Sequence, residues 1–438
     1  MSTSALRAAA CACFDAALAA VEPGRLVTAA LARESDRLAL RSGDPVAVHR
    51  GPVLLVGAGK AARSMASAAA TLAQPSRGIV IVPHGQRGAG LDPVEILGGS
   101  HPVPDAAGEA ATASLLAMVE SADADTLVLV VLSGGASALL VAPAPGIVLA
   151  DKQAVTTALL ESGADVSAMN TVRRHCSRVK GGGLLRAARR ARAVWTLLLS
   201  DVVGDDPATI GSGPTAADPT TYADALAVLG RWLPPDVVPP RVRARLETGV
   251  SGSAPETLKP GDPLLARARL EVLADNRTAV AAAADAARAR GFEPRVLGEP
   301  LVSDAAAAGR LVVARLMDGP STRPVAVVAG GETTVRVTPG GCGGRSQHLA
   351  LAAAIALEGL GGVVLAAGTD GVDGPTDAAG ACVDGGTVAR ARARGFDPLA
   401  ALAATDSHAI LGAAADLLRT GPTGTNVADL VVALRPPC

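Results

Sequence analysis

The sequence predicts an α/β protein with a doubly wound parallel sheet. Short apolar runs alternate with helical segments along the chain, and strands that alternate with helices form parallel βαβ units. Several of these runs end abruptly in glycine, hydroxyl and carboxylate residues, and a parallel sheet presents its ligand-binding groups at this carboxyl edge. The chain has 438 residues, which is enough for two or three domains.

Composition excludes several classes of protein. Apolar residues make up 49% of the chain and aromatic residues only 1%, so the core must consist mostly of alanine, valine and leucine. The net charge is −1 and no basic run is present, which argues against nucleic-acid binding. Six cysteines are scattered without metal-ligand spacing, as expected of free thiols in a reducing compartment.

The N-terminal segment is apolar but carries Arg7 and Asp15. These charges predict an amphipathic helix and argue against a signal peptide. No uncharged apolar run of membrane-spanning length follows. We therefore expect a cytoplasmic protein that does not bind membranes.

The elements of the first part of the chain follow in order. Two helices are predicted within residues 4–41, then a strand at 53–56 and a helix at 61–72. The next elements are a strand at 78–82, a proline-containing loop at 98–105, a helix at 106–119 and a strand at 126–132. A helix over 170–180 ends at three glycines, and an apolar strand at 194–199 completes this part.

Residues 231–263 hold many prolines and are interpreted as a connection between domains. We therefore expect domains at residues 1–262 and 263–438. The second contains predicted strands at 270–274, 294–297, 324–329 and 362–367 and at the end of the chain, with helices at 277–290, 305–316 and from Ser346. Because strands of both parts end in polar loops, we expect a cleft between two α/β lobes.

Residues 197–215, LLLSDVVGDDPATIGSGPT, form the central motif. The apolar strand ends at Ser200 and Asp201, and Asp205 and Asp206 follow. Three close carboxylates repel one another unless a cation lies between them, and a divalent metal carried by a phosphorylated ligand would serve. The alternative is a solvated turn followed by a helix cap. Asp370, with Asp373 after it, repeats the pattern later in the chain.

Lys60 lies in the turn after the first strand, in GAGKAA. This turn fits the loose dinucleotide pattern, but the acidic residue expected after the second strand is missing, and Ala61 excludes a P-loop. A cation at the start of a helix opposes the helix dipole. Lys60 therefore either binds an anion or faces solvent. Arg345, in GGRSQ, is a second cation at a predicted helix start.

The segment from Ser133 to Ser137, SGGAS, offers hydroxyls and backbone N–H groups at a helix start. Such a turn can hold an anion, or it is only a tight connection. Leu139 excludes a nucleophile elbow, which needs a glycine there. Arg173, Ser177 and Lys180 would share one helix face, which points either to the cleft or to solvent. His101 is interpreted as structural.

The sequence combines cations and glycine turns that can bind anions with aspartates that can bind a metal. This combination favours phosphoryl transfer. In that reaction, positioning and charge neutralisation supply most of the catalysis.

These motifs, together with HPVPD, GGETTV, GTDGVDGPTDAAGA and GPTGTNV, resemble those of the class II glycerate 2-kinases, whose C-terminal part is the MOFRL domain. The resemblance runs in order over most of the chain. It implies a Rossmann-like N-terminal domain and a smaller α/β C-terminal domain, with the site between them. It also implies ATP-dependent phosphorylation of D-glycerate at the 2-hydroxyl, giving 2-phosphoglycerate, with Mg²⁺ or another divalent cation.

The resemblance assigns catalytic roles to Lys60 and Arg345. The expected substrate- and nucleotide-binding residues are Gly57, Gly59, Ser133, Gly134, Gly135, Ser137, Arg173, Lys180, Ser212, Thr215, Glu332, Thr333 and Gln347. The expected metal ligands are Asp201, Asp205, Asp206, Asp370 and Asp373. The candidate assembly is a homodimer.

Three positions depart from the pattern of the resembled family. Ser346 and His348 replace an asparagine and a glutamate, and Ala428 replaces an asparagine. The alternative function is an NAD(P)H-dependent hydroxypyruvate reductase, against which the missing acidic residue counts. A non-catalytic sensor of small hydroxy acids is a third reading, and it would not need the aspartate clusters.

Overall fold

The computed structural model describes residues 1–41 and 46–437. The helices are α1 (Thr3–Ala20), α2 (Pro23–Ala30), α3 (Ala62–Ala73), α4 (Ala106–Glu120), α5 (Ala136–Leu139), α6 (Leu149–Glu161), α7 (Val166–His175), α8 (Gly183–Ala187), α9 (Tyr222–Trp232), α10 (Pro240–Val250), α11 (Asn276–Ala289), α12 (Ala305–Met317), α13 (Arg345–Ala356), α14 (Thr387–Arg392), α15 (Pro398–Ala403) and α16 (Ser407–Ala413). Short 3-10 helices span His84–Gln86, Ile210–Ser212 and Pro263–Arg267.

The strands are β1 (Leu31–Glu34), β2 (Arg37–Leu40), β3 (Ala47–His49), β4 (Val53–Ala58), β5 (Arg77–Pro83), β6 (Val94–Gly99), β7 (Leu127–Leu132), β8 (Ala193–Leu199), β9 (Ala268–Ala274), β10 (Glu293–Val296), β11 (Val325–Gly331), β12 (Val363–Gly368), β13 (Gly380–Asp384), β14 (Leu417–Leu418) and β15 (Asp429–Arg435).

The chain divides into two compact units. One is Pro23–Leu273, and the other joins Met1–Glu22 to Ala274–Cys438. The sequence placed the first helix with residues up to 262, whereas α1 packs against α11 and the second sheet. Its inward side chains, such as Leu6 and Phe14, are buried there, so apolar burial groups the N-terminal helix with the C-terminal residues.

The unit Pro23–Leu273 contains the predicted doubly wound sheet, with strand order β6-β5-β4-β7-β8-β9. The pairs from β6 through β8 are all parallel, and β4 pairs with β7 from Val53↔Leu127 to Ala58↔Leu132. From β4 the chain first builds outward to β5 and β6 and then to the other side through β7. The strand order therefore reverses between β4 and β7, where open α/β sheets bind their ligands.

β9 borders β8 in this first sheet. The prediction that residues 270–274 begin the second lobe was therefore wrong. Residues 231–263, predicted to connect domains, include α10, which packs on α9. Helices α6, α7, α9 and α10 share a small apolar core that contains Val155, Val172 and Leu246, and this burial keeps the segment inside the unit.

The second unit is built on a sheet of order β10-β11-β15-β12-β13-β14. Only β10 and β11 pair in parallel there, and the other pairs are antiparallel. The α/β prediction is confirmed for this unit, but the sheet is mixed and not doubly wound. Its core is formed by valine, alanine and leucine, as the composition predicts.

Residues 4–41 contain more than the two predicted helices. After α1 and α2 the chain forms β1 and β2, an antiparallel hairpin extended by β3. Ser35 has φ +52° in the turn, and Arg37 pairs with Glu34. The buried positions of β2, Leu38 to Leu40, explain why this apolar stretch is extended.

The segment Thr3–Ala30 is long and apolar enough to cross a membrane by length and composition alone. It consists of α1 and α2 rather than one helix, and Glu22 lies between them. The inner face of α1 is packed in the core, with Cys13 and Ala17 fully buried. These contacts are those of a core helix.

Candidate active site

Three parallel strands of the first sheet, β4, β7 and β8, end side by side. Gly59 and Lys60 follow the first, Ser133 to Gly135 follow the second, and Ser200 and Asp201 follow the third. The sequence motifs are thus brought to one edge of the sheet, next to the reversal of strand order. This edge is the candidate site of the unit Pro23–Leu273.

The turns after β4 and β7 are locked together. Gly59 has φ +134°, and a Cβ there would lie 2.1 Å from Ser133 Oγ, so only glycine fits. Ser133 is fully buried, and its hydroxyl accepts a hydrogen bond from Ala61 N at 2.9 Å. The Lys60 backbone N–H donates to Gly134 O at 2.9 Å. Ser133 and Gly59 therefore fix the backbone from which the Lys60 side chain extends.

His101 lies at the same turns, although its sequence position suggested only a structural role. A Cβ on Gly135 would be 3.1 Å from the His101 ring and 3.5 Å from Lys60 Cγ. His101 is exposed, whereas Lys60 is half-buried. The imidazole and the ammonium stem therefore flank one glycine at the sheet edge. The HPVPD motif was the available signal for this residue.

Ser137, Ser212 and Asn170 form a chain of hydrogen bonds. The Ser137 and Ser212 hydroxyls are 2.8 Å apart, and Ser212 Oγ donates to Asn170 Oδ1 at 2.9 Å. Ser212 and Asn170 are buried. This chain of hydrogen bonds joins α5, the 3-10 helix after β8, and α7. Asn170 is a residue that the sequence analysis did not select.

Lys180 was expected on a helix face with Arg173 and Ser177, but α7 ends at His175. The Lys180 side chain is 3% exposed. Its ammonium donates to Ser137 O at 2.6 Å, Ser137 Oγ at 3.2 Å and Leu140 O at 3.2 Å. Burial places its pKa well below the usual value for lysine. All three N–H donors are thus used to hold the segment after β7, and Lys180 positions Ser137.

We expect Lys180→Met to lower the free energy of unfolding by roughly 1–3 kcal/mol, because it leaves buried carbonyl groups without donors. Chemical denaturation measures this change. The matched control is Lys259→Met, since Lys259 donates to Thr257 Oγ1 and pairs with Glu256 but is half-exposed. A loss no larger than that of the control would contradict the assigned role.

Arg173 differs from its neighbour Arg174 in having no visible counter-charge. Arg174 pairs with Asp218 at 3.1 Å in the core. Arg173 is half-buried, burial lowers its pKa, and no carboxylate partner is found for it within residues 1–41 and 46–437. Its charge also lowers the pKa values of Lys152 and Lys180, so three cations lie near one another. A desolvated guanidinium without a carboxylate is suited to bind an anion.

Two predicted binding residues lie inside the fold. Thr215 is 1% exposed, and its hydroxyl is 2.9 Å from that of Thr196. Gly57 lies within β4, where a Cβ would be 2.4 Å from Val131. Both residues serve the packing of the strands, and neither is exposed to contact a ligand directly.

The three aspartates after β8 lie on a loop at the sheet edge. Asp206 caps the following turn, since its carboxylate accepts from Ala208 N and Thr209 Oγ1, both at 3.0 Å. Asp201 and Asp205 are half-buried. In the described part of the chain no three His, Cys, Asp or Glu side chains are grouped to hold a metal. Asp206 therefore fits the alternative of a helix cap.

In the second unit, Arg345 begins α13 and lies between two carboxylates. Its Nε donates to Asp429 Oδ2 at 2.6 Å and its Nη2 to Asp429 Oδ1 at 3.1 Å, while Nη1 donates to Glu332 Oε1 at 2.5 Å. Sequence reasoning selected Glu332 but missed Asp429. The side chain of Arg345 remains 33% exposed, so it is also open to a ligand.

Burial and pairing act in opposite directions on this group. Burial lowers the pKa of Arg345, but Asp429 and Glu332 outweigh it, so the pKa is raised and the guanidinium stays charged. Burial raises the pKa of Asp429 to about 6, against the attraction of Arg345. At neutral pH the pair is therefore ionic, and Asp429 is close to taking up a proton.

Asp373 is a helix cap in this structure. Its two oxygens accept from the backbone N–H groups of Ser346 at 3.1 Å and Gln347 at 2.8 Å, at the start of α13. It is 4% exposed, and burial raises its pKa. The expected metal role does not fit a carboxylate whose two oxygens are committed to the helix, so this assignment is corrected. The carboxylate also offsets the nearby Arg345.

Gln347 is likewise fully buried. Its amide nitrogen donates to Asp373 O and Thr376 Oγ1, and its oxygen is 2.9 Å from His408 Nδ1. Gln347 thus braces the start of α13 and is not available to a ligand.

Thr333 and Ser346 flank a small internal cavity beside Asp429. Both hydroxyls are buried and lack a hydrogen-bond partner within the described residues. Thr333 was expected to bind the ligand, and Ser346 is one of the departures from the resembled pattern. Asp370 is half-buried and accepts from Val372 N at 3.1 Å within its own loop.

A larger cavity of about 480 Å³ lies along β10. It is lined by Arg295, Glu299 and Arg315, among others, and contains none of the predicted site residues. Its lining lacks the combination of a glycine turn, a helix start and charges that point to one spot, which marks the other two candidates. The sheet edge and the Arg345 cluster remain the candidates.

Comparison with known proteins agrees with the motifs. Residues 9–247 match a family model described as a domain of unknown function, DUF4147, and residues 325–429 match the MOFRL family. A D-glycerate 2-kinase of Thermotoga maritima is 40% identical over 390 residues, covering 87% of this chain and 90% of that protein. The chain belongs to the class II glycerate kinase family.

Further relatives extend this likeness. The glycerate 2-kinase of Pyrococcus horikoshii is 36% identical over 424 residues, which is 95% of this chain and 94% of that one. The crystal structure of Thermotoga maritima glycerate kinase matches with a TM-score of 0.84 and 36% identity, covering 99% and 100% of the two chains. A chain of Agrobacterium vitis named "Putative hydroxypyruvate reductase" is 42% identical over 417 residues, covering 93% and 92%.

Proposed function

We propose that this glycerate kinase family member transfers a phosphoryl group from ATP to the 2-hydroxyl of D-glycerate, with 2-phosphoglycerate and ADP as products. Relatives named D-glycerate 2-kinase and glycerate 2-kinase, similar over most of their length, support this substrate. The carrying observation is Lys60, a cation at the start of α3 where the strand order reverses.

The groups around Lys60 support anion binding. Backbone N–H groups at the start of α3 and in the turn after β7 add partial positive charge. In the other unit, and considered by itself, Arg345 is a cation that is partly open to solvent. In phosphoryl transfer such charges neutralise the transferring group. We assign Lys60 and Arg345 this role, and Arg173 the binding of an anionic group of substrate or nucleotide.

A divalent cation fits the loop after β8. Mg²⁺ commonly uses one or two protein carboxylates together with substrate phosphates and water, so it does not require a group of three. Asp201 and Asp205, which are half-buried at the sheet edge, would hold it. The bound cation would supply further charge neutralisation for the phosphates.

Hydroxypyruvate reduction is the second candidate because a relative carries that name. Bound NADH would need a carboxylate for its ribose hydroxyl after β5. β5 ends at Pro83, and the next residue, His84, contacts Asp105 at 2.7 Å. Asp105 also accepts from Gly108 N and Ser100 N, so its oxygens are engaged in capping α4. This arrangement favours the kinase.

The test is turnover by the purified full chain with D-glycerate, L-glycerate and hydroxypyruvate. ATP-dependent ADP release with D-glycerate, abolished by a chelator and restored by Mg²⁺, is the expected result. The ³¹P spectrum of the product should show coupling to one methine proton, as in a 2-phosphate, and not to a methylene pair. NADH oxidation with hydroxypyruvate and no ADP release would establish the reductase. Binding without either turnover would indicate a sensor.

Arg173→Met is expected to raise KM for D-glycerate or ATP by roughly 10- to 100-fold, since an ionic hydrogen bond is worth about 1–3 kcal/mol. Stability should be unchanged or higher, because the variant removes a desolvated charge without a counter-charge. Steady-state kinetics and melting temperature together measure both effects. An unchanged KM, or a parallel loss of stability and activity, would mean that Arg173 is structural.

We also propose a cytoplasmic location and a homodimer. The location is supported by the cysteines of the described residues, which are all free thiols. Size-exclusion chromatography with light scattering would decide the assembly.

A further inference from the structure

Helix α1 and strand β13 bring two cysteines together. Arg7 on α1 pairs with Asp384 on β13 at 2.6 Å and with Asp416 at 2.9 Å. Cys11 follows Arg7 by one helical turn, roughly 6 Å further along the same face. Cys382 precedes Asp384 by two residues, roughly 7 Å back along the same face of the strand. The ion pair anchors α1 beside β13 in the same unit, and the Cys11 and Cys382 thiols are hydrogen-bonded to each other.

The two thiols lie in different surroundings. Cys11 on α1 is half-buried, whereas Cys382 on β13 is only 4% exposed. The hydrogen bond from Cys382 lowers the pKa of Cys11, although burial and the Asp15 charge oppose this, and the Arg7 charge also lowers it. The same hydrogen bond, together with burial, raises the pKa of Cys382 well above its usual value. Cys11, the more exposed thiol and the one beside Arg7 on α1, is therefore the thiol that a peroxide can reach, and Cys382 lies behind it.

We propose that Cys11 and Cys382 form a redox-active pair that hydroperoxides oxidise to a disulfide. The Cys11 thiolate attacks the peroxide oxygen, the O–O bond breaks, and a sulfenic acid forms as alkoxide or hydroxide leaves and takes up a proton. Cys382 then attacks the Cys11 sulfur, an S–S bond replaces the S–O bond, and water leaves. Two thiols lose two electrons, and one hydroperoxide is reduced to water and an alcohol, or to two waters if it is hydrogen peroxide.

The other cysteines of the described residues lack this combination. Cys13 is fully buried on the opposite side of α1, and burial raises its pKa. Burial likewise raises the pKa of Cys176 to about 11. Cys342 is half-buried like Cys11 but contacts no second thiol in the described part of the chain. A low-pKa, accessible cysteine beside a resolving cysteine is the arrangement of redox-sensing sites.

The experiment treats the reduced full chain with hydrogen peroxide, blocks remaining thiols and maps the peptides. We expect a disulfide-linked peptide pair containing Cys11 and Cys382, reversed by dithiothreitol. Cys11 should be consumed roughly tenfold or more faster than Cys342, since the thiolate is the reactive form. Cys382→Ser should accumulate a sulfenic acid at Cys11 that dimedone traps.

Cys342→Ser is the matched control and should form the same disulfide at the same rate, whereas Cys11→Ser should form none. Cys11→Ala serves as a second variant if the serine is poorly folded, and melting temperature confirms folding. Oxidation of Cys11 no faster than that of Cys342 would overturn the proposal. A mapped disulfide between any other pair would overturn it as well.

Discussion

Lys60→Met is expected to fold as the native chain does and to lose roughly 10² to 10⁴ in turnover, the scale for removing one charge that stabilises a transition state. The ammonium extends from a backbone that Ser133 and Gly59 hold independently of it. Methionine keeps the apolar stem that lies beside Gly135. The substitution therefore removes the ammonium group with its interactions and keeps the apolar stem.

Steady-state kinetics of Lys60→Met, together with its melting temperature, measure this prediction. The matched control is Arg63→Met, because Arg63 is a cation in the first turn of α3 whose side chain donates to Arg87 O and Ala89 O. The control should retain near-native turnover. Retained turnover in Lys60→Met, or equal losses in both variants, would place the reacting site elsewhere.

The inner strands β4, β7 and β8 could be predicted well, because each is an apolar run buried on both faces that stops where glycine or a polar residue begins, as at Gly59 and Ser133. The edge strands are less buried and less apolar, so β6 was not predicted and β9 was assigned to the other lobe. The second sheet could not be predicted to the same depth. Its strands are equally apolar, and an apolar run does not reveal whether its neighbour runs parallel or antiparallel.

Among the site residues, too, local features could be predicted from sequence and long-range ones could not. The turn that holds Lys60 could be predicted from sequence because Gly59 and Ala61, which define it, are its neighbours in the chain, and the role of Lys60 stays a prediction. Lys180 and Asp373 were predicted to bind a substrate and a metal because they are charged. In the structure each makes hydrogen bonds to backbone groups of the protein. Asp429 was missed because its partner Arg345 is 84 residues away in the chain. A pattern of residue types does not distinguish a charge that serves the fold from one that serves a ligand.

Arg345→Lys is expected to lose roughly 10² to 10⁴ in turnover, because it keeps a charge but cannot form the planar fork that donates to two oxygens at once. In the native chain that fork engages Asp429 through Nε and Nη2 and leaves Nη1 toward Glu332. An ammonium carries its three donors on one nitrogen, so it cannot bond both oxygens of Asp429 in a planar fork and also place a donor where the other guanidinium nitrogen projects. The matched control is Arg390→Lys, since Arg390 also bonds two carboxylates, Asp384 and Asp416, in the same unit.

The pH dependence of stability separates the contribution of Arg345 to folding from its contribution to catalysis. The pKa of Asp429, about 6 in the fold, lies above the unfolded value of about 3.9. Protonated Asp429 therefore stabilises the folded state. This stabilisation is fully present below the pKa of the unfolded state and is lost as the pH rises through the pKa of the folded state. Arg345→Met removes the attraction that holds this pKa down, so the pKa of Asp429 should rise and the loss should continue to higher pH. Melting temperatures of Arg345→Met should fall further below the native ones as the pH rises from about 6 to 8.

The double variant Arg345→Met, Asp429→Asn should lose most of this pH dependence, because the Asp429 carboxylate is gone, yet it should stay as inactive as Arg345→Met. Recovery of turnover in the double variant would mean that Arg345 serves only to neutralise Asp429. Full activity of Arg345→Lys, or equal activity losses in Arg345→Lys and Arg390→Lys, would contradict a role for the fork at the reacting group. Steady-state kinetics and thermal unfolding across the same pH series decide between these results.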